Sequence, residues 1–174
     1  MSKSSLTPFP EREHDPGRDA DVSVPAFDAA ERRKLELARS ALSLNGFYAY
    51  MMLDEHQQWC VAADDEEGRI DVHAADDGYV VQVCGSSPGI FMEEESLWRQ
   101  QALERLARRV VPNVARGMLA EHQSATWNDE DHGVSVCISH QVAGEWPEQV
   151  PIMARQALSE IEDLLTLVES QLRS

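Results

Sequence analysis

An α+β fold, with an antiparallel sheet carrying helices on one face, is predicted by three features of the 174-residue sequence. Apolar side chains run at helical spacing, then alternate with polar ones over short runs, and this exchange repeats before a last helical stretch closes the chain. The links between the alternating runs are too short for crossovers, so neighbouring strands must run antiparallel. Each helical stretch has an apolar face that needs a sheet to cover it. The expected order is α-β-β-β-α-β-β-α, a single domain over residues 26–174 behind a flexible tail at 1–25.

The tail reading rests on Pro8, Pro10, Pro16 and Pro25 among charges and isolated apolar residues, too little to repay the entropy of ordering. Asp28 is placed to cap a helix through Ala29, Leu35, Ala38, Ala41 and Leu42, which Asn45 and Gly46 stop. Residues 47–53 and 59–63 are short apolar runs. Ile70, Val72 and Ala74 then alternate with Arg69, Asp71 and His73, and residues 79–84 form another run. With turn chemistry at 64–68 and 76–78, this is a meander of three or four strands; the pairing of 47–53 as a full strand stays open. Glu93, Glu94 and Glu95 suit a helix start, and Leu97, Leu103, Leu106 and Val110 give a helix over 93–111. Pro112 should end or kink it, with a short continuation at 113–119. Residues 124–127 and the alternation Val134, Val136, Ile138 read as a hairpin, a second, two-stranded piece of sheet. Pro151 fits the first turn of a last helix.

That last helix spreads its apolar positions, Ala157, Leu158, Ile161, Leu164, Leu165, Val168 and Leu172, over more than one stripe. Two burial partners are expected, the sheet and a second subunit. Leu158, Leu165 and Leu172 are the candidates for a homodimer contact, with Arg105 and Arg109 at its rim.

Charge narrows the function classes. Thirty-one acidic and 15 basic residues leave a net charge of -16, which repels nucleic-acid phosphate and anionic lipid surfaces. Direct nucleic-acid or membrane binding is not expected. No apolar run approaches the ~18 residues of a spanning helix, and residues 1–10 lack a secretory h-region, so a cytoplasmic location is expected. Cys60, Cys84 and Cys137 form no close pair and are read as reduced thiols. Residues 47–95 hold twelve acids and one base, Arg69, whereas residues 96–116 hold Arg99, Arg105, Arg108, Arg109 and Arg116 against Glu104 alone. Those arginines either pair with surrounding carboxylates or sit in a contact while the acidic sheet steers a basic partner.

The sequence carries no complete catalytic or metal-binding motif. Gly85-Ser86-Ser87-Pro88-Gly89 satisfies G-x-S-x-G, but Pro88 has no N–H to serve an oxyanion, and an antiparallel sheet is the wrong setting. The six histidines and three cysteines show no metal-ligand spacing; Cys60, His73 and Cys84 could converge, yet buried thiols are the simpler reading. The acidic turn at 64–68 lacks the twelfth-position glutamate of a calcium loop, Ala75 standing there. No phosphate-binding fingerprint occurs. Neither catalytic residue, metal nor cofactor is therefore expected. Trp59, Trp98, Trp127 and Trp146 fall on separate elements as core or interface anchors, and Trp146, beside Pro147, is the candidate for client binding.

The element order, the acidic strand-rich middle, and the ending in which residues 134–140 lead through Glu145, Trp146 and Pro147 to the long helix resemble the YbjN family and the related fold of type III secretion chaperones, over about residues 27–172. That resemblance implies a small, acidic, usually dimeric, non-enzymatic protein that holds client proteins or peptides, and it transfers no catalytic residue. The proline-rich tail and the arginine-rich middle helix depart from the pattern. Similar YbjN-like proteins of bacterial stress response include partners of single-stranded-DNA-binding proteins, which makes such a protein a client candidate. The expected function is a chaperone-like adaptor. The alternative is a regulatory or sensory domain with a small ligand between sheet and helices.

Overall fold

Asp28, extended in backbone, starts helix α1 (Ala29–Leu44), which turns Leu35, Ala38 and Leu42 inward. The chain then forms strands β1 (Ala49–Leu53), β2 (Trp59–Asp64), β3 (Arg69–Ala75) and β4 (Gly78–Ser87), helix α2 (Leu97–Met118), strands β5 (Gln123–Asn128) and β6 (Gly133–Ala143), and helix α3 (Gln149–Arg173). The computed structural model describes residues 24–174; the tail expected at 1–25 lies, up to residue 23, outside the described residues. The class is α+β as expected, with four strands before α2. Residues 49–53 pair along their whole length with β2, from Ala49 opposite Ala63 to Leu53 opposite Trp59.

All six strands join in one antiparallel sheet, order β1-β2-β3-β4-β6-β5. The hairpin after α2 is therefore not a separate piece of sheet. β6 runs beside β4 over ten residue pairs, from Gly78 opposite Ala143 to Ser87 opposite Val134, and it carries β5 to the far edge. A side chain at Gly78 (φ +114°) would collide with the Val142 carbonyl, so the turn into β4 requires glycine.

Helix α2 also departs from expectation at both ends. It begins at Leu97 because Ser96 is extended and its Oγ accepts from the Arg99 N–H at 3.4 Å, a stronger start than the glutamates before it. It runs through Pro112 to Met118. Pro112 lies on the exposed side, where water can satisfy the carbonyl one turn back.

The three helices share one face of the sheet. α1 lies over β1 to β3, α3 over β4 and β6, and α2 against β5, with α3 touching both neighbours. This central position explains the broad apolar band of α3 and corrects the reading of it. Leu158 and Leu172 are each only 5% exposed and belong to the protomer's own core, and Leu165 packs half-buried against it. The second burial partner of the helix is the flanking helices, and no leucine stripe is left for another subunit. Gly85 on β4 faces this helix, and a Cβ there would collide with the Ile161 side chain.

The cysteine reading is corrected as well. Cys84 and Cys137 stand opposite each other on β4 and β6, Cα atoms 4.1 Å apart, and are joined in a disulfide. They are 53 residues apart in sequence, and only the β4–β6 pairing brings them together. Cys60 remains a free, buried thiol.

Candidate functional site

The outward face of α2 carries an exposed tryptophan in register with a row of arginines. Trp98, Arg105, Arg109 and Arg116 follow at spacings of seven, four and seven, which brings all four onto one side of a helix over about 27 Å. That side is opposite the buried Ala107, Val111 and Val114. Trp98 is 73% exposed, and Leu106 beside the stripe is 50% exposed. The arginines of the helix divide into two groups. Arg108 Nε donates to Asp129 Oδ1 at 2.6 Å, and Arg99 lies 3.8 Å from Glu94. Among the described residues, Arg105, Arg109 and Arg116 have no carboxylate within 4.0 Å. Arg105 and Arg116 donate instead to carbonyls of their own helix.

The one acid of the helix cannot neutralise them, because Glu104 points inward. Its Oε1 accepts from Gln100 Nε2 at 3.4 Å and lies 2.9 Å from His132 Nδ1 in the β5–β6 turn. Asp129 is likewise committed, since Trp127 Nε1 donates to the same oxygen as Arg108. The hydrogen bond from Arg108 is the main reason that its carboxyl is held below the ordinary range. The result is a positive stripe with an aromatic end on a protein of net charge -16.

The structure does not bring Arg105 and Arg109 together with the α3 leucines, as a dimer seam had required. It places them on the surface and the leucines inside. Trp146, the expected client contact, stands in the turn before α3 and is 61% exposed, its ring against Gly144. Trp98 was legible only as one of four dispersed tryptophans; its seven-residue register with Arg105 was the signal that could have found it.

The sheet face away from the helices forms a half-open recess of about 860 Å³, lined by Met52, Asp54, Arg69, Asp71, His73, Gln82 and the Cys84–Cys137 bridge among others. The alternative function would place a small ligand between sheet and helices; this recess lies on the opposite side. Four of its polar side chains pair with one another. Arg69 Nε donates to Asp71 at 3.1 Å, and His73 Nε2 lies 3.0 Å from Asp54 Oδ2. Burial alone would raise the Asp54 carboxyl, but the N–H groups of Gln58 and His56 and the His73 ring outweigh it and hold the pKa below its ordinary value. Burial pushes the Cys60 thiol up to about 11, and the charges of Asp71 and Asp54 add to the shift. Such a thiol is a poor nucleophile. Gly85, Ser86 and Ser87 belong to the end of an antiparallel strand, so the G-x-S-x-G string forms no nucleophile elbow. Among the described residues no helix is long and apolar enough to cross a membrane.

No family model and no curated protein matches the chain. A solved structure to which it is similar, an uncharacterized protein from Methanothermobacter thermautotrophicus, aligns at a TM-score of 0.42 with 12% identity, over 79% of this chain and 97% of that one. A likeness this distant carries no argument about function.

Proposed function

We propose that the protein is a non-enzymatic, chaperone-like adaptor of the cytoplasm whose outer α2 face binds a client polypeptide. The observation that carries this reading is the stripe itself, in which three arginines without carboxylate partners among the described residues align with an exposed tryptophan. Tryptophan and arginine are the residue types that dominate binding energy at protein contacts. The stripe selects a segment that alternates acids with apolar side chains. The overall negative charge opposes nucleic acid as the ligand, and the resemblance to YbjN-like proteins makes a single-stranded-DNA-binding protein a client candidate.

A fluorescein-labelled peptide of alternating aspartate and phenylalanine tests the site by anisotropy. Arg105→Glu with Arg109→Glu should weaken binding by more than about tenfold, and Trp98→Ala by about tenfold or more, while His56→Ala on the other face leaves it unchanged. Raising salt from about 0.15 M to about 1 M should weaken the wild-type complex. Equal affinity in the charge-reversed and wild-type proteins would exclude α2 as the docking face. Light scattering of the same samples reads whether a homodimer forms; with Leu158 and Leu172 buried, a second copy would have to meet another surface than those two leucines.

A further inference from the structure

Two histidines and a glutamate meet where the α2–β5 turn, β6 and α3 come together. One ring nitrogen each from His122 and His140 and a carboxylate oxygen of Glu160 all lie within 4.8 Å of one another. The two imidazole rings sit side by side, centroids 5.0 Å apart. His140 Nε2 is buried and has no hydrogen-bond partner among the described residues, a costly state for a ring nitrogen. The surroundings hold the donors in place. Gln156 Nε2 donates to Glu160 Oε1 at 3.2 Å, and the Ser139 N–H donates to the His122 carbonyl at 2.9 Å. A recess of about 510 Å³ lined by Glu121, His122, Ser139, His140 and Gln141 opens onto the rings and admits a hydrated ion.

We infer that His122, His140 and Glu160 form a binding site for a divalent transition metal of the zinc class. Imidazole nitrogen and carboxylate oxygen are the donors such an ion takes, and three protein ligands leave one position to water. Metal–ligand bonds of about 2.0–2.1 Å in tetrahedral geometry put donors about 3.3 Å apart. Closing from the present spacing asks mainly a movement of His122, the exposed member. Gln156, bonded to the Glu160 carboxylate, would act as the orienting partner that metal ligands ordinarily have. The bound ion would satisfy the orphaned His140 nitrogen and tie α3 to the sheet at residues drawn from three elements. The sequence hid the site because its ligands are 18 and 20 residues apart and match no short motif.

The test uses the untagged full chain, stripped with chelator and titrated with Zn²⁺ by calorimetry and with Co²⁺ by visible absorption. One ion per chain should bind at micromolar or tighter affinity, with the absorption of a four- or five-coordinate Co²⁺, and Zn²⁺ should raise the melting temperature. His122→Ala and Glu160→Gln should each weaken binding by at least about tenfold, and Gln156→Ala by about tenfold, whereas His56→Ala and His132→Ala change nothing. His122 is exposed, so its alanine variant tests the site even where the His140 variant does not fold. Absence of saturable one-to-one binding, or full affinity in both His122→Ala and Glu160→Gln, would overturn the inference.

Discussion

Asp54 shows how one side chain can hold a turn and carry a charge on a sheet face at once. Its Oδ1 accepts from the N–H groups of His56 and Gln58, both at 2.8 Å, and closes the β1–β2 turn, while Oδ2 faces His73 on β3. The sequence separates the two apolar runs at residues 54–58 but does not show that the first acid there reaches a histidine nineteen residues on. Alternation assigned His73 to one face of its strand, and register alone decided what stood across from it. Because the folded pKa of Asp54 lies below the unfolded value, the resulting stabilisation is present above about pH 4 and is lost as pH falls through the folded pKa. Asp54→Asn keeps an accepting oxygen but loses the charge, so it should be less stable than wild type at pH 7 by about 1 kcal/mol, the difference between hydrogen bonds to charged and to neutral acceptors. Urea midpoints measured down to pH 3 should show that gap closing below about pH 4. A gap that stays constant across the range would mean that the carboxylate charge contributes nothing.

At the level of elements, periodicity located every helix and every strand except the extent of β1, and failed where an assignment depended on a partner distant in sequence. The width of the α3 apolar band is legible in the sequence. Its cause is not, because a broad stripe looks the same whether a second subunit or two flanking helices cover it. Cys84 and Cys137 were likewise legible as strand residues, each on the polar side of its alternation, but their bond depends on β6 lying beside β4. That bond makes a sharp expectation. It closes a loop of 53 residues, and the chain-entropy argument gives about 4 kcal/mol of stabilisation for a loop of that size. For a domain of this length, reduction should lower the melting temperature by about 10 °C, and Cys84→Ser with Cys137→Ser should match the reduced protein. Calorimetry with and without dithiothreitol makes the measurement. A melting temperature indifferent to reductant would show that the pair is open in solution. In a cytoplasm, where thiol pools oppose such bonds, the same difference would make the stability of the β4–β6 seam depend on redox state.

Across the whole molecule, the charge pattern was readable from residue counts, but which arginines escape their carboxylates was not, since that depends on Glu104 turning inward and Asp129 being taken by Arg108. The resulting field has two ranges, and for the acidic peptide of the proposed function they act in opposite directions. The net charge of -16 repels it from all sides, while the α2 stripe attracts it only nearby. A domain of this size has a radius of gyration of about 15 Å. At about 0.01 M salt the screening length is about 30 Å, so an approaching acidic peptide feels the whole protein and is repelled. At about 0.1 M the length falls to about 10 Å, distant carboxylates drop out, and the stripe dominates close to the helix. At about 1 M, with a length near 3 Å, the stripe is screened as well. Stopped-flow association of the aspartate–phenylalanine peptide should therefore be fastest near about 0.1 M and slower on both sides. In the Arg105→Glu, Arg109→Glu protein Arg116 stands alone beside two new acids, repulsion outweighs it at every range, and the rate should climb steadily with salt. A wild-type rate that falls monotonically from the lowest salt would mean that the stripe outweighs the net charge even at long range, whereas one that only rises would mean that the arginines take no part in the encounter.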